Sequence, residues 1–309
     1  MKNKTLVYAT YLALITAVIS GFSNFLNKIA VTSIKDPIFF TTLKNSIVAI
    51  FIIGAILIFK KWPEITSLTR KQILKLVIIG MVGGALPFAL FFSGLAKTSA
   101  LNAALIHKTL FIWVLLLAIP ILKERLSSMQ WLGIGAIFAA NLIVGGFTGF
   151  KYNAGELMIL AATILWAIEN VIAKIALKDI SSLTVAGARM TIGSLILLSF
   201  VLIKGGGSAI FAMNLQQWLW TFIPAVLLFG YVTTWYTALK YAPATYVATL
   251  LVPATLVTNV LSAIFITHTF ALPQIASAGF FTLGVIMMIF FSKKVAKTNH
   301  SQLKLESIS

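Results

Sequence analysis

Long unbroken runs of apolar residues, each closed off by a short polar or charged stretch, recur along the whole chain. Crossing ~30 Å of hydrocarbon takes about 20 helical residues, whereas a membrane β-barrel shows strict alternation in roughly ten-residue strands. These runs are continuous and so predict helices, at 6–27, 37–59, 73–95, 100–120, 128–147, 155–176, 182–203, 217–240, 244–266 and 272–292. The first is too long for the apolar core of a signal peptide, about 7–15 residues, and reads as a span. Connections of 9, 13, 4 and 7 residues precede a central 7, and connections of 5, 13, 3 and 5 follow it. The same rhythm occurs twice, and no loop is long enough for a soluble domain.

Residue matches support a duplication. Asn24-Phe-Leu-Asn-Lys28-Ile-Ala30 lies over Asn170-Val-Ile-Ala-Lys174-Ile-Ala176, and Gln130-Trp-Leu-Gly-Ile-Gly135 lies over Gln274-Ile-Ala-Ser-Ala-Gly279. The chain therefore divides into a five-helix repeat at 1–150, a second at 151–292 and a basic tail at 293–309, which reads as a disordered end. Five is odd, so the second repeat enters the membrane inverted. The expected fold class is all-α integral membrane, with ten transmembrane helices in two inverted repeats.

Composition and charge narrow this further. With 60% hydrophobic residues, 10% charged and a mean hydropathy of +1.00, the chain departs from soluble domains, in which about 25% of residues are charged. The absence of cysteine removes disulfide frameworks, thiolate metal sites and cysteine nucleophiles. A net charge of +17 points to nucleic acid only if the bases cluster on one face, and here they punctuate the apolar runs. With the N-terminus inside, sixteen lysines and arginines fall on the cytoplasmic side and five opposite. That bias places both termini in the cytoplasm of a multi-pass cell-membrane protein. The Asn-x-Ser/Thr matches at Asn3 and Asn299 lie on that side and are not expected to be glycosylated.

The pattern resembles the drug/metabolite transporter superfamily, and within it the ten-helix EamA-type permeases. The carriers are the duplicated five-helix unit, Pro253 in the ninth span, Leu122-Lys-Glu124-Arg-Leu-Ser followed by Gln130-x-x-Gly133, and Trp166 in the sixth span. Two positions depart: His268 stands where the second repeat would match Glu124, and Thr109 where the first would match Pro253. The resemblance implies a carrier of small organic solutes, often outward, with amino acids, other metabolites and drugs as the range of substrates.

Inverted repeats place a solute site near the bilayer midplane, where one half can rock against the other. Of seven acids, Glu169 alone lies deep in a span. A carboxylate at a helix centre is unfavourable by roughly 2.5–3.5 kcal/mol on insertion scales, so it marks a cation or proton site or an ion pair. Lys174, Lys44 and Arg189 are the available partners. His107 and Lys108 are neighbours in the fourth span and diverge by ~100°, so they cannot share one cavity. Lys108 suits a substrate carboxylate, and His107 suits a proton near neutral pH. Lys44 and Arg189, each eighth in its span, read as structural groups binding backbone carbonyls or helix ends in their own repeats, with a positive field for a cavity that prefers anions as the alternative.

Thr16, Ser20, Asn24 and Asn27 share one face of the first span, and Trp166, Glu169 and Asn170 answer from the sixth. Such a stripe either lines a wet path or hydrogen-bonds a neighbouring helix, worth about 0.6 kcal/mol on average. Aromatics are dense in the third span, at Phe88, Phe91 and Phe92, and in the eighth. There Tyr231 and Trp235 share a face on which a ring or cation can stack. Tyr236, Tyr241 and Tyr246 read as an interfacial belt. Gly80, Gly83 and Gly84 suit close helix packing, while Pro87, Pro224 and above all Pro253 are candidate hinges at a gate.

No Gly-x-x-x-x-Gly-Lys-Ser/Thr loop is present, so ATP is not expected and any driving force is a gradient or exchange. Three scattered histidines, no aspartate in a span and no Gly-x-Ser-x-Gly leave no metal, cofactor or nucleophile constellation, which argues against an embedded enzyme. The expected function is secondary transport of small organic metabolites, amino-acid-like ones favoured, outward by alternating access, with a proton as candidate co-substrate. The competing reading is a passive facilitator for another metabolite or amine. Expected partners are the solute, the lipid bilayer and protons, without nucleic acid; a monomer would suffice, and the oligomeric state stays open.

Overall fold

The polar punctuation between the apolar runs starts helices as well as ending them. Asp36 accepts hydrogen bonds from the N–H groups of Ile38 and Phe39 at 2.9 and 3.1 Å, with Pro37 at the first helical position. Thr69 with Gln72, and Asn214 with Gln217, form capping boxes, while Asn153 and Ser181 cap the sixth and seventh spans. Each device satisfies N–H groups that the first helical turn leaves without partners.

The computed structural model describes residues 2–34, 36–95, 97–98, 100–145, 153–269 and 272–306, and among these every regular element is helical. The ten spans are Lys2–Ile34, Pro37–Ile58, Arg70–Leu95, 100–122, Ser128–Gly145, Ala154–Ala176, Ser182–Ile203, Leu215–Tyr241, 244–267 and Leu272–Glu306. Among the described residues nine stretches are long and apolar enough to cross a bilayer, and Ser128–Ile143 supplies the shorter tenth. The first and last helices outrun their apolar cores, the last continuing to Glu306 through residues that lack an apolar period. The two 13-residue connections are also not bare: one holds a helix at Trp62–Thr66, the other a tight turn at Gly206–Ile210 entered through Gly205 at φ 78°.

Two spans are interrupted, at positions the duplication makes equivalent. The fourth breaks at Thr109, between Ala100–Lys108 and Leu110–Leu122; the ninth breaks at Val252-Pro253, between Ala244–Leu251 and Ala254–Ser262. Pro253 has no N–H to continue the helix. Thr109 achieves the same break without a proline, its hydroxyl donating to the Ile106 carbonyl at 2.6 Å. Downstream, the two spans end at Lys123 and His268, both with positive φ, 54° and 53°. By contrast Pro224 sits inside an unbroken helix.

The packing obeys the exchange of each span with the one five places on. The first packs on the eighth as the third packs on the sixth; first on ninth matches fourth on sixth; second on eighth matches third on seventh. Pairs two–seven, four–nine and five–ten map onto themselves. The repeats therefore interlock, and inverted copies related by a two-fold axis in the membrane plane are what produces this pattern. Glycines set the closest crossings: a Cβ on Gly133 would stand 3.0 Å from the Gly284 carbonyl oxygen where the fifth and tenth spans meet.

Candidate functional site

The third span opens into a wide π-helical turn at Gly80–Ala85, followed by Pro87. Pro87 has no N–H to offer the carbonyl four residues back, which is that of Gly83. The freed Gly83 oxygen accepts from Trp166 Nε1 at 3.1 Å and from Arg189 Nε at 3.2 Å, joining the third, sixth and seventh spans. Gly83 must be a glycine, because a Cβ there would collide with the Glu169 side chain. Gly84 likewise lets the third span lie against the Arg189 backbone and Gly193.

Glu169 and Arg189 meet beside this turn. Arg189 Nη1 stands 3.9 Å from Glu169 Oε2, and the Tyr236 hydroxyl bridges them, donating to Glu169 Oε1 and accepting from Arg189 Nη1 at 3.1 Å. All three are buried, Glu169 to 1% exposure. A buried charge is tolerated when paired and hydrogen-bonded. Of the three partners open to Glu169, the structure supplies Arg189. Lys174 instead donates to the carbonyls of Leu239 and Ala242 at 2.6 and 2.7 Å.

Above the cluster lies a cavity of about 110 Å³ lined from seven spans. Ser20, Ser23, Asn24 and Asn27 come from the first, Lys44 from the second, and Phe88, Phe91 and Phe92 from the third. The fourth gives His107 and Leu110, the sixth Trp166, Glu169 and Asn170, the seventh Arg189, and the eighth Leu228, Tyr231 and Trp235. His107, Phe91 and Trp166 form a ring cluster with centroids 4.9 to 5.6 Å apart. Tyr231 and Trp235 stack in parallel at 6.0 Å, and Trp235 Nε1 donates to Asn170 Oδ1 at 3.0 Å.

Eight of the sequence candidates thus converge: Glu169, Asn170, Trp166, His107, Asn24, Ser20, Tyr231 and Trp235. Lys108 does not; it is buried away from the cavity, because its neighbour His107 takes the inward direction. Pro253 interrupts its span, but among the described residues the ninth span contributes none to the lining. Thr16 leaves the wet stripe of the first span and donates to Thr234 Oγ1 at 2.8 Å, tying it to the eighth.

Three readings need correction. Tyr236 and Tyr246 are not belt residues: both are fully buried, and Tyr246 hydrogen-bonds Thr10 at 2.9 Å, whereas Tyr241 is exposed. Arg189 does bind a backbone carbonyl, but across the repeat boundary. Lys44 binds none; it faces the cavity, its ammonium 5.0, 5.9 and 5.1 Å from the ring centres of Phe40, Phe88 and Phe92. The signal for the Gly83 site was present as a proline four residues on. Nothing local marked Tyr236.

The end of the bundle that carries residues 59–69, 123–127, 177–181 and 242–243 is laced by side-chain-to-backbone hydrogen bonds. Glu124 accepts from the N–H groups of Ala244 and Thr245 at 2.7 and 2.9 Å and from the Thr245 hydroxyl at 2.7 Å, acting as a remote cap on the ninth span. Lys174 caps the preceding helix from the other side. Lys240 reaches the Ile180 carbonyl at 3.0 Å, and Glu64 accepts from the Ser181 N–H at 2.6 Å.

The EamA-like transporter family model matches residues 7–146 and 153–290. An uncharacterised transporter of Methanothermobacter thermautotrophicus is 27% identical over 215 residues, 63% of this chain and 62% of its own length. The uncharacterised transporter YyaM of Bacillus subtilis is 32% identical over 149 residues, 46% of this chain and 48% of its own. The chain thus spans less than two thirds of either relative. A crystal structure with 16% identity superposes with a TM-score of 0.73 over 93% of this chain and 98% of that one, a likeness of fold. Interlocked inverted repeats around a central cavity, matched by the family model over both halves, place this multi-pass membrane protein in the EamA-like transporter family.

Proposed function

We propose that the protein is a secondary transporter that moves small organic metabolites, amino-acid-like ones foremost, out across the cell membrane by alternating access. The observation that carries this reading is the cavity: it draws on both repeats and is rimmed by polar and aromatic groups. The distribution of sixteen basic residues against five supports cytoplasmic termini. On that orientation the end tied by Glu124, Lys174, Lys240 and Glu64 faces the cytoplasm. Since each repeat packs mainly on the other, the bodies that move are drawn from both repeats. A proton is the candidate coupling ion, with Glu169 and His107 as the groups at hand.

The test is uptake and efflux by purified protein in liposomes, across radiolabelled amino acids, amines and nucleosides, with and without a pH gradient. The proposal expects gradient-dependent movement of an amino-acid-like solute. If every label stays put while a hydrolytic or transferase product appears, the transporter reading fails.

A further inference from the structure

Two cations and one carboxylate line the cavity. The carboxylate is paired within the protein: Glu169 Oε1 is held by Tyr236, and Oε2, which has no hydrogen-bond partner among the described residues, faces Arg189 at 3.9 Å, whose Nε is itself satisfied by Gly83. Lys44 is the remaining cation. It is 3% exposed and lines the cavity, and among the described residues its ammonium has neither a carboxylate nor a hydrogen-bond acceptor. Three phenyl faces surround it at 5.0 to 5.9 Å. Ring faces attract a cation, but they offer none of the acceptors that three ammonium protons need. A buried ammonium left so is unfavourable unless something in the cavity completes it.

The geometry points to Lys44 as the anchor for a carboxylate on the transported solute. This rests on the transporter reading above and sharpens it: the solute class is a small carboxylate with an apolar or aromatic body, and a bare amine is excluded. The positive excess of the lining repels an amine, while Phe88, Phe91, Trp166, Tyr231 and Trp235 provide apolar and ring surface for the body. Size agrees. A cavity of ~150 Å³ accepts benzene, so about 110 Å³ suits a body of branched-alkyl size and is tight for a single ring.

A matched series tests it: L-leucine, its decarboxylated amine 3-methylbutylamine, and the deaminated acid 4-methylpentanoate, with L-phenylalanine and 2-phenylethylamine as the aromatic pair. Binding to the full-length protein in detergent is read by tryptophan fluorescence, since Trp166 and Trp235 line the cavity. Transport of the same compounds is read in liposomes. The expected result is that the carboxylates bind and move and the amines do not. Lys44→Gln should weaken carboxylate binding about tenfold or more, as loss of a charge-assisted hydrogen bond implies, and Lys44→Arg should restore most of it. Amines binding as well as acids, no binding by any carboxylate, or a folded Lys44→Gln protein that binds carboxylates normally would each overturn the anchor. If Lys44→Gln does not fold, the wild-type ranking of acid against amine decides alone. Carboxylate binding without any transport leaves the anchor standing and sinks the transporter reading instead.

Discussion

Glu169, Arg189, Tyr236 and Gly83 form a unit whose members depend on one another. Replacing Tyr236 by Phe removes a donor from Glu169 and an acceptor from Arg189, so stability should fall by about 1–3 kcal/mol. Thermal melting in detergent checks this, with Tyr241→Phe, at an exposed tyrosine, as the variant that should leave the melt unchanged. Glu169→Gln strands Arg189 in the interior, and breaking a buried pair from one side is worth about 3–5 kcal/mol. The melt should drop by more than in Tyr236→Phe, and transport should be lost. A Glu169→Gln protein that melts and transports normally would remove this residue from both roles. Sequence pattern reached Glu169 because acids inside apolar runs are rare. It missed Tyr236 because hydropathy near a span end says nothing about which way a tyrosine faces, and it misjudged Lys44 because apolar residues on adjacent spans, not neighbours in sequence, build its surroundings.

At the scale of elements, the breaks and ends of helices carry more information than their lengths. The ten spans and the pairing of Thr109 with Pro253 were readable from apolar runs and the duplicated rhythm, yet only the symmetry, and no local breaker, points to a break at Thr109. The ties at the end that carries Glu124 were not readable, since Glu124 reaches a backbone 120 residues away. Glu124→Ala should free the amide protons of Ala244 and Thr245, and their hydrogen exchange, measured by mass spectrometry or NMR, should rise. The amides of Ile38 and Phe39, capped by Asp36 at the other end of the bundle, should stay as they are. Equal exchange at 244–245 with and without Glu124 would show that the remote cap contributes nothing. Pro87→Ala supplies a new N–H that competes for the Gly83 carbonyl. Removing a proline from a helix ordinarily stabilises by about 3 kcal/mol, and a gain well short of that is expected here.

The whole molecule is two five-helix copies laid antiparallel and interlocked, so that each span faces the other copy. This arrangement puts the interruptions of the fourth and ninth spans at equivalent places and encloses the cavity between the repeats. The absence of cysteine from the chain makes it directly testable, because single cysteines can be introduced without removing any. Trp62, in the connection after the second span, is 53% exposed, and Phe211, in its mate after the seventh, is 92% exposed. Labelling with a membrane-impermeant maleimide, in intact and in permeabilised cells, reads which side each occupies. Phe211→Cys should react in intact cells and Trp62→Cys only after permeabilisation. Reaction of both from the same side would contradict the inverted repeats, and with them the cavity and everything assigned to it.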